Sequence, residues 1–358
     1  MTPQSVLVAA REAGAASALT PVVGALIAEG TLRPQIVAWG NALAVFDAVG
    51  LPVLAFPEDP EPREIEELLV STNAAVVLTG TSLRAELDGR FWAAARAAGI
   101  PSVALLDHWK NYAERFTIVA PFDVLPTLVA VMDDVAEREL VALGCPGDRI
   151  RVTGQPRFDA LPGAVTPQLR ARARQTLGIG PSRRVAAFAS EPRGIPYDDG
   201  LGFTQADAVS AFLDGVEAVA PDMLAIVKLH PLEEVEPVRA AASGRARPEA
   251  RILRAYPTRE LAAAADVFCG MTSIVLLDAA LLGVPTVSIR PGGGASHFVD
   301  VHADLITSAF TPAELRAALE QGLARKPALP ARRPFDGSTA RVGELLHELV
   351  TAVRIMGA

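Results

Sequence analysis

Short apolar runs alternate along the chain with longer stretches whose apolar positions recur at helical spacing, and glycine, proline or small polar residues punctuate the boundaries. In the first half, Val6 to Ala10 reads as a strand and Ala15 to Glu29 as a helix. Strand and helix then repeat as Gln35 to Trp39 with Asn41 to Val49, Pro52 to Phe56 with Glu61 to Val70, and Ala74 to Thr79 with Leu83 to Ala98. Ser102 to Leu106, Thr127 to Met132 and Ile150 to Thr153 follow as strands. Asp133 and Asp134 open a helix that ends near Gly144, with acids in the first turn where the helix dipole favours them.

The second half repeats the alternation. Leu161 to Gly180 has helical spacing and many arginines, as a linker helix would. Arg184 to Ala189, Leu224 to Leu229 and Ala250 to Ala255 read as strands, Gln205 to Val219 as a helix, and Ile195 to Phe203, rich in Gly and Asp, as a loop. Thr258 is expected to cap a helix, and Thr311 to Glu314 opens another with a capping-box pattern. The clearest unit is Ala265 to Ile289: a strand to Cys269, the turn Gly270-Met271-Thr272-Ser273, a helix holding Asp278, a second turn and a strand. Strand and helix in alternation imply an α/β chain with parallel sheets, whose carboxyl-end loops form one rim where ligands bind.

Length and charge narrow the possibilities. A chain of 358 residues that is 50% hydrophobic is long enough for two cores. A net charge of −8 argues against a nucleic-acid backbone as the main partner. The two cysteines, Cys145 and Cys269, show no metal spacing and suit a reducing, cytoplasmic setting. The start of the chain lacks the pattern of a signal peptide, and no apolar run approaches a membrane span, so any membrane contact would be peripheral.

Candidate chemistry lies on the expected rims. In the first half these loops are Arg11-Glu12-Ala13-Gly14, Thr79-Gly80-Thr81-Ser82 and Asp107-His108-Trp109-Lys110-Asn111-Tyr112. The last either binds a ligand or is packed by Trp109 and Tyr112. In the second half they are Ser190-Glu191-Pro192-Arg193-Gly194, then Lys228-Leu229-His230-Pro231, then the turn at Thr272 and Ser273, and Arg290 before three glycines. Free backbone N–H groups and hydroxyls in such a turn attract phosphate, and His230 is placed to donate to a phosphate or sugar oxygen.

These residues resemble a known group. Thr272-Ser273, Asp278-Ala279 and Leu282-Gly283-Val284-Pro285 look like the nucleotide-binding turn and helix of GT-B proteins, in particular the non-hydrolysing UDP-N-acetylglucosamine 2-epimerases and the CDP-glycerol glycerophosphotransferase-like enzymes. Lys228-Leu229-His230-Pro231, Gly154-Gln155-Pro156-Arg157-Phe158-Asp159 and Asp336-Gly337-Ser338-Thr339-Ala340-Arg341-Val342 resemble further segments of that group, the last opening a helix that crosses back to domain one. The resemblance implies a GT-B fold, two Rossmann-like domains facing each other across a cleft, with 1–160 as acceptor domain, 161–335 as nucleotide-sugar domain and 336–358 as the crossing helix. It also implies that Thr272 and Ser273 hold phosphate and that Asp278 holds ribose hydroxyls.

The expected activity is metal-independent transfer of a sugar from a nucleotide-activated donor, of UDP or CMP/CDP type, to a hydroxyl on a glycan, lipid or protein in glycan synthesis. No metal and no cofactor beyond that donor are expected. Glu12, Asp107 and His108 are the candidate bases; Gly14, Ser190, Glu191, His230, Gly270, Met271, Thr272, Ser273, Asp278 and Arg290 are the candidate binding residues. A homodimer is compatible with the sequence. Three alternatives stay open: a 2-epimerase, disfavoured because Asp107-His108 stands where the epimerases carry His-x-Glu; a CDP-polyol phosphotransferase; and a nucleotide-sugar binder without turnover.

Overall fold

The structure, a computed structural model, describes residues 4–83, 85–159, 161, 165–192, 202–230, 233–254, 256–294, 296–325 and 335–356. Pro231, Arg193 and Gly194, and most of the Ile195 to Phe203 stretch lie outside the described residues. The chain divides into two compact units, Met1–Ala160 with Pro334–Ala358, and Leu161–Arg333.

Unit 1 runs β1 (Gln4–Ala10), α1 (Ala13–Glu29), β2 (Leu32–Ala38), α2 (Asn41–Asp47), α3 (Pro62–Ser71), β3 (Ala74–Thr79), α4 (Glu86–Ala97), β4 (Ser102–Leu105), β5 (Leu128–Val131), α5 (Asp134–Ala142), β6 (Ile150–Val152) and α6 (Pro156–Asp159). Its sheet is parallel throughout, in the order β2-β1-β3-β4-β5-β6. The two-residue period of β1 divides its side chains between two cores: Val6, Val8 and Ala10 pack with Leu19, Val22, Val23 and Leu26 of α1, whereas Leu7 and Ala9 pack with Ile65 of α3 and Phe91 of α4. The expected strand at Pro52 to Phe56 is reduced to one bridge, Val53 to Ile36. Prolines at 52 and 57 lack the N–H that a ladder needs, so pairing stops there.

Unit 2 runs α7 (Pro167–Thr176), β7 (Val185–Ala189), α8 (Gln205–Val219), β8 (Leu224–Lys228), α9 (Val235–Ala242), β9 (Glu249–Leu253), α10 (Thr258–Ala264), β10 (Val267–Gly270), α11 (Val275–Leu281), β11 (Thr286–Ile289), α12 (His297–Val301), β12 (Thr307–Ala309) and α13 (Pro312–Ala324). This sheet is also parallel, ordered β12-β11-β10-β7-β8-β9. Phe188, Val227, Cys269 and Val287 face α8 and α13. The expected cap Thr258 is the first residue of α10, with Pro257 as its N-cap, while Thr311 and Glu314 form the capping box of α13.

The last helix, α14 (Ser338–Met356), belongs to unit 1. Val342, Leu345, Leu346 and Val350 join the α1 core, and the Asp159 carboxylate accepts from Gly337 N at 2.8 Å and Thr339 N at 2.9 Å. A carboxylate on the first turn of a helix both satisfies orphan donors and complements the dipole. Gly154 adopts φ 86°, and a Cβ there would overlap Ser338, which accounts for the glycine in that segment.

Candidate functional site

In each unit the parallel strands bring their carboxyl ends to one rim, and the candidate side chains gather there. On the unit 1 rim, Asp107 follows β4 and is 8% exposed. Its Oδ1 accepts from Arg115 at 2.9 Å and from Thr81 Oγ1 at 3.2 Å. Arg115, itself buried, also donates to the Thr81 hydroxyl at 2.9 Å and the Thr81 carbonyl at 3.2 Å. The other carboxylate oxygen lies against Gly14, where any Cβ would overlap it. Gln155 donates to the Asp107 carbonyl at 3.2 Å. Asp107 is therefore an anchored anion in a buried ion pair, and Gly14 is explained by the closeness of that carboxylate.

Glu12 is the N-cap residue of α1 but makes no cap bond. Its half-buried carboxylate reaches across to accept from Leu83 N at 2.8 Å. Next to it, buried Asp88 accepts from Ser82 N at 2.7 Å, and burial pushes its carboxyl up to about 7, with the Glu12 charge adding to the shift. Burial pushes the His108 imidazole down to about 4, against the neighbouring Asp107, so His108 is neutral at physiological pH. Among the described residues, no cation is clamped to the Glu12 carboxylate, whereas Asp107 is held by Arg115. The aromatic members of the third loop pack inward: Trp109 is buried, donates to Asp133 Oδ2 at 2.8 Å and stacks 6.4 Å from Phe158, and Tyr112 is buried as well.

On the unit 2 rim, the two residues after β7 bridge to neighbouring strand ends on either side. Ser190 Oγ donates to Glu233 Oε1 at 2.5 Å, and Glu233 Oε2 accepts the His230 N–H at 3.0 Å. Glu191 Oε1 accepts both the N–H of Thr272 at 2.5 Å and its hydroxyl at 2.8 Å. Ser273 is half-buried beside it, and Asp278 lies buried in α11. Burial lowers the imidazole pKa of His230, with Lys228 contributing. Burial also lowers the Lys228 ammonium, a shift that the Glu233 charge opposes.

One expectation needs correction, and two further candidates at the turn have a packing role of their own. Arg290 does not present a guanidinium to a ligand: it is wholly buried, donates to Gly294 O at 2.7 Å, Asp300 Oδ1 at 2.8 Å and Ser308 Oγ at 2.7 Å, and lies 4.7 Å from the Phe310 ring centroid. A buried cation must be paired, and here unit 2 pairs it internally. Met271 sends its side chain into the α8 core and leaves only its backbone at the turn, where the carbonyl accepts from Ser288 Oγ at 2.6 Å. Gly270 reflects packing, since a Cβ would press on Ala189 O and Leu276.

Arg115, Asp88 and Glu233 were not singled out from sequence. A cavity of about 800 Å³ between α8 and α13 is lined by Ile289, Phe310, Thr311 and Leu315; Ser190, Glu191, His230 and Thr272 do not line it. Among the described residues, no helix is long and apolar enough to cross a membrane, and no three His, Cys, Asp or Glu side chains gather as metal ligands would.

No family model matches the chain, and no curated protein matches it. Solved structures do. The UDP-GlcNAc 2-epimerase of Neisseria meningitidis bound to UDP-GlcNAc is similar over 96% of this chain and 100% of its own, at 14% identity and a TM-score of 0.71. The UDP-GlcNAc 2-epimerase of Methanocaldococcus jannaschii is similar over 97% and 100%, at 14% identity and 0.70. MurG of Acinetobacter baumannii is similar over 97% and 100%, at 12% identity and 0.55. The chain has the two-domain GT-B fold.

Proposed function

We propose that the protein acts on a nucleotide sugar, transferring the sugar to a hydroxyl acceptor as a GT-B glycosyltransferase of glycan or glycoconjugate synthesis. The observation that carries the reading is the cluster at the carboxyl ends of β7, β8 and β10 on one rim of a GT-B fold, where Lys228, His230 and Ser273 stand beside Ser190 and Thr272, whose donors are held by the Glu233 and Glu191 carboxylates. Such donors meet the charge that develops on a departing nucleoside diphosphate. Similarity to a protein solved with UDP-GlcNAc supports a uridine donor. In this reading Thr272 and Ser273 bind phosphate, His230 donates to a phosphate or sugar oxygen, and Asp278 holds ribose hydroxyls. Glu12 is the general base: a half-buried carboxylate that accepts from the backbone N–H of Leu83 can also take the acceptor's proton, whereas Asp107 is held by Arg115.

A second reading, a 2-epimerase, is favoured by the higher TM-scores of the epimerases, 0.71 and 0.70 against 0.55 for MurG. One experiment separates the two. UDP-GlcNAc is incubated with the protein alone and with a panel of hydroxyl acceptors, and the products are read by NMR. Transfer that depends on acceptor and is lost in Glu12→Gln supports the first reading. A C2 epimer formed without acceptor supports the second, and no product with any nucleotide sugar removes both.

A further inference from the structure

The contact between Glu191 and Thr272 is unusual for a turn that is to receive an anion. One carboxylate oxygen takes the backbone N–H and the hydroxyl of Thr272 together, at 2.5 and 2.8 Å. Those are the two donors that a phosphate oxygen would use, and a carboxylate presents the same charge and the same acceptor geometry. Thr272 itself is buried at 3% exposure, so its N–H and hydroxyl have little access to water in place of Glu191. The adjacent Ser190 is bonded separately to Glu233, and β7 pairs directly with both β8 and β10, so the rim is tied together without Glu191.

We propose that Glu191 is a built-in competitor for the phosphate site: its carboxylate holds the two Thr272 donors and must swing away when a nucleoside diphosphate binds. The proposal rests on the nucleotide-sugar reading and adds to it a residue that sets affinity against, rather than for, the ligand. A site held closed by its own side chain binds with an apparent affinity reduced by the fraction of molecules in the open state. It also repels a second negative charge until the carboxylate has left, so a ligand must offer more than one phosphate oxygen contact to displace it.

The test is calorimetric titration of UDP and inorganic pyrophosphate into the wild type, Glu191→Ala and Glu191→Gln, with the melting temperature of each variant recorded. Glu191→Gln keeps an acceptor for Thr272 but drops the charge, and it serves if Glu191→Ala does not fold. The expected result is UDP binding about tenfold tighter in Glu191→Ala and tighter by a smaller factor in Glu191→Gln, as expected if the open state is roughly one molecule in ten. Equal UDP affinity in all three folded proteins overturns the competitor role and leaves the nucleotide reading standing. Weaker binding in the variants, at unchanged melting temperature, also overturns it and makes Glu191 a ligand contact. If neither UDP nor pyrophosphate binds any of the three, the nucleotide reading fails and the proposal with it.

Discussion

Replacing Arg115 by Met isolates the buried ion pair of unit 1. Arg115 and Asp107 side chains are 7% and 8% exposed and meet at 2.9 Å, and the same guanidinium serves Thr81. Removing the cation leaves the Asp107 carboxylate buried with Thr81 as its remaining side-chain donor, and breaking such a pair from one side costs about 3–5 kcal/mol. For a domain of this size that corresponds to about 6–20 °C in melting temperature, at about 2–4 °C per kcal/mol. All three tryptophans, Trp39, Trp92 and Trp109, lie in unit 1, so urea unfolding followed by tryptophan fluorescence reports that unit alone. The double variant Arg115→Met with Asp107→Leu is expected to recover most of the loss, because no unpaired charge remains buried. A single-variant cost below about 1 kcal/mol, the range of exposed pairs, would refute the buried-pair account.

Other outcomes follow from the same contacts. Asp88 holds its proton up to about pH 7 when folded but loses it near 3.8 when unfolded, so the folded state carries more protons in that window and stability falls as pH rises through it. His108 acts in the opposite sense: folded it stays neutral down to about 4, unfolded it protonates near 6.5, so its contribution is present above 6.5 and is lost as pH falls toward 4. Urea midpoints from pH 4 to 8 should therefore rise with pH more steeply in Asp88→Asn than in the wild type, and less steeply in His108→Gln. Gly14→Ala forces a methyl onto the clamped Asp107 carboxylate and should cost unit 1 about 1–3 kcal/mol in the same unfolding assay. Arg290→Met should lower the melting temperature of unit 2 through its unpaired Asp300 and Ser308 while leaving the UDP affinity of the folded protein unchanged; a selective loss of affinity would return Arg290 to the ligand site.

The alternation that builds both sheets was legible because β1 and its counterparts are buried on both faces and read as apolar runs, with turn residues between them. Asp133 and Thr311 could be placed at helix starts because capping is local. Arg115 and Glu233 could not, since each matters through a partner brought near by the fold: Arg115 folds back on Asp107 and Thr81, and Glu233 meets Ser190 from another strand end. Arg290 misled for the same reason. A cation at a strand end suits a phosphate in sequence, but Ser308 and Asp300, which claim it, come from later elements. Pro52 to Phe56 looked like a strand by composition, and the missing N–H groups at its borders decided otherwise.

The central claim is that the rim formed by Thr272, Ser273 and His230 grips the phosphates of a nucleotide. A crystal of the full chain soaked with UDP tests it most directly. Phosphate density is expected within hydrogen-bond distance of the Thr272 and Ser273 hydroxyls, with the Glu191 carboxylate moved off Thr272. UDP bound at another place, or a rim that stays closed by Glu191 at saturating nucleotide, would contradict it.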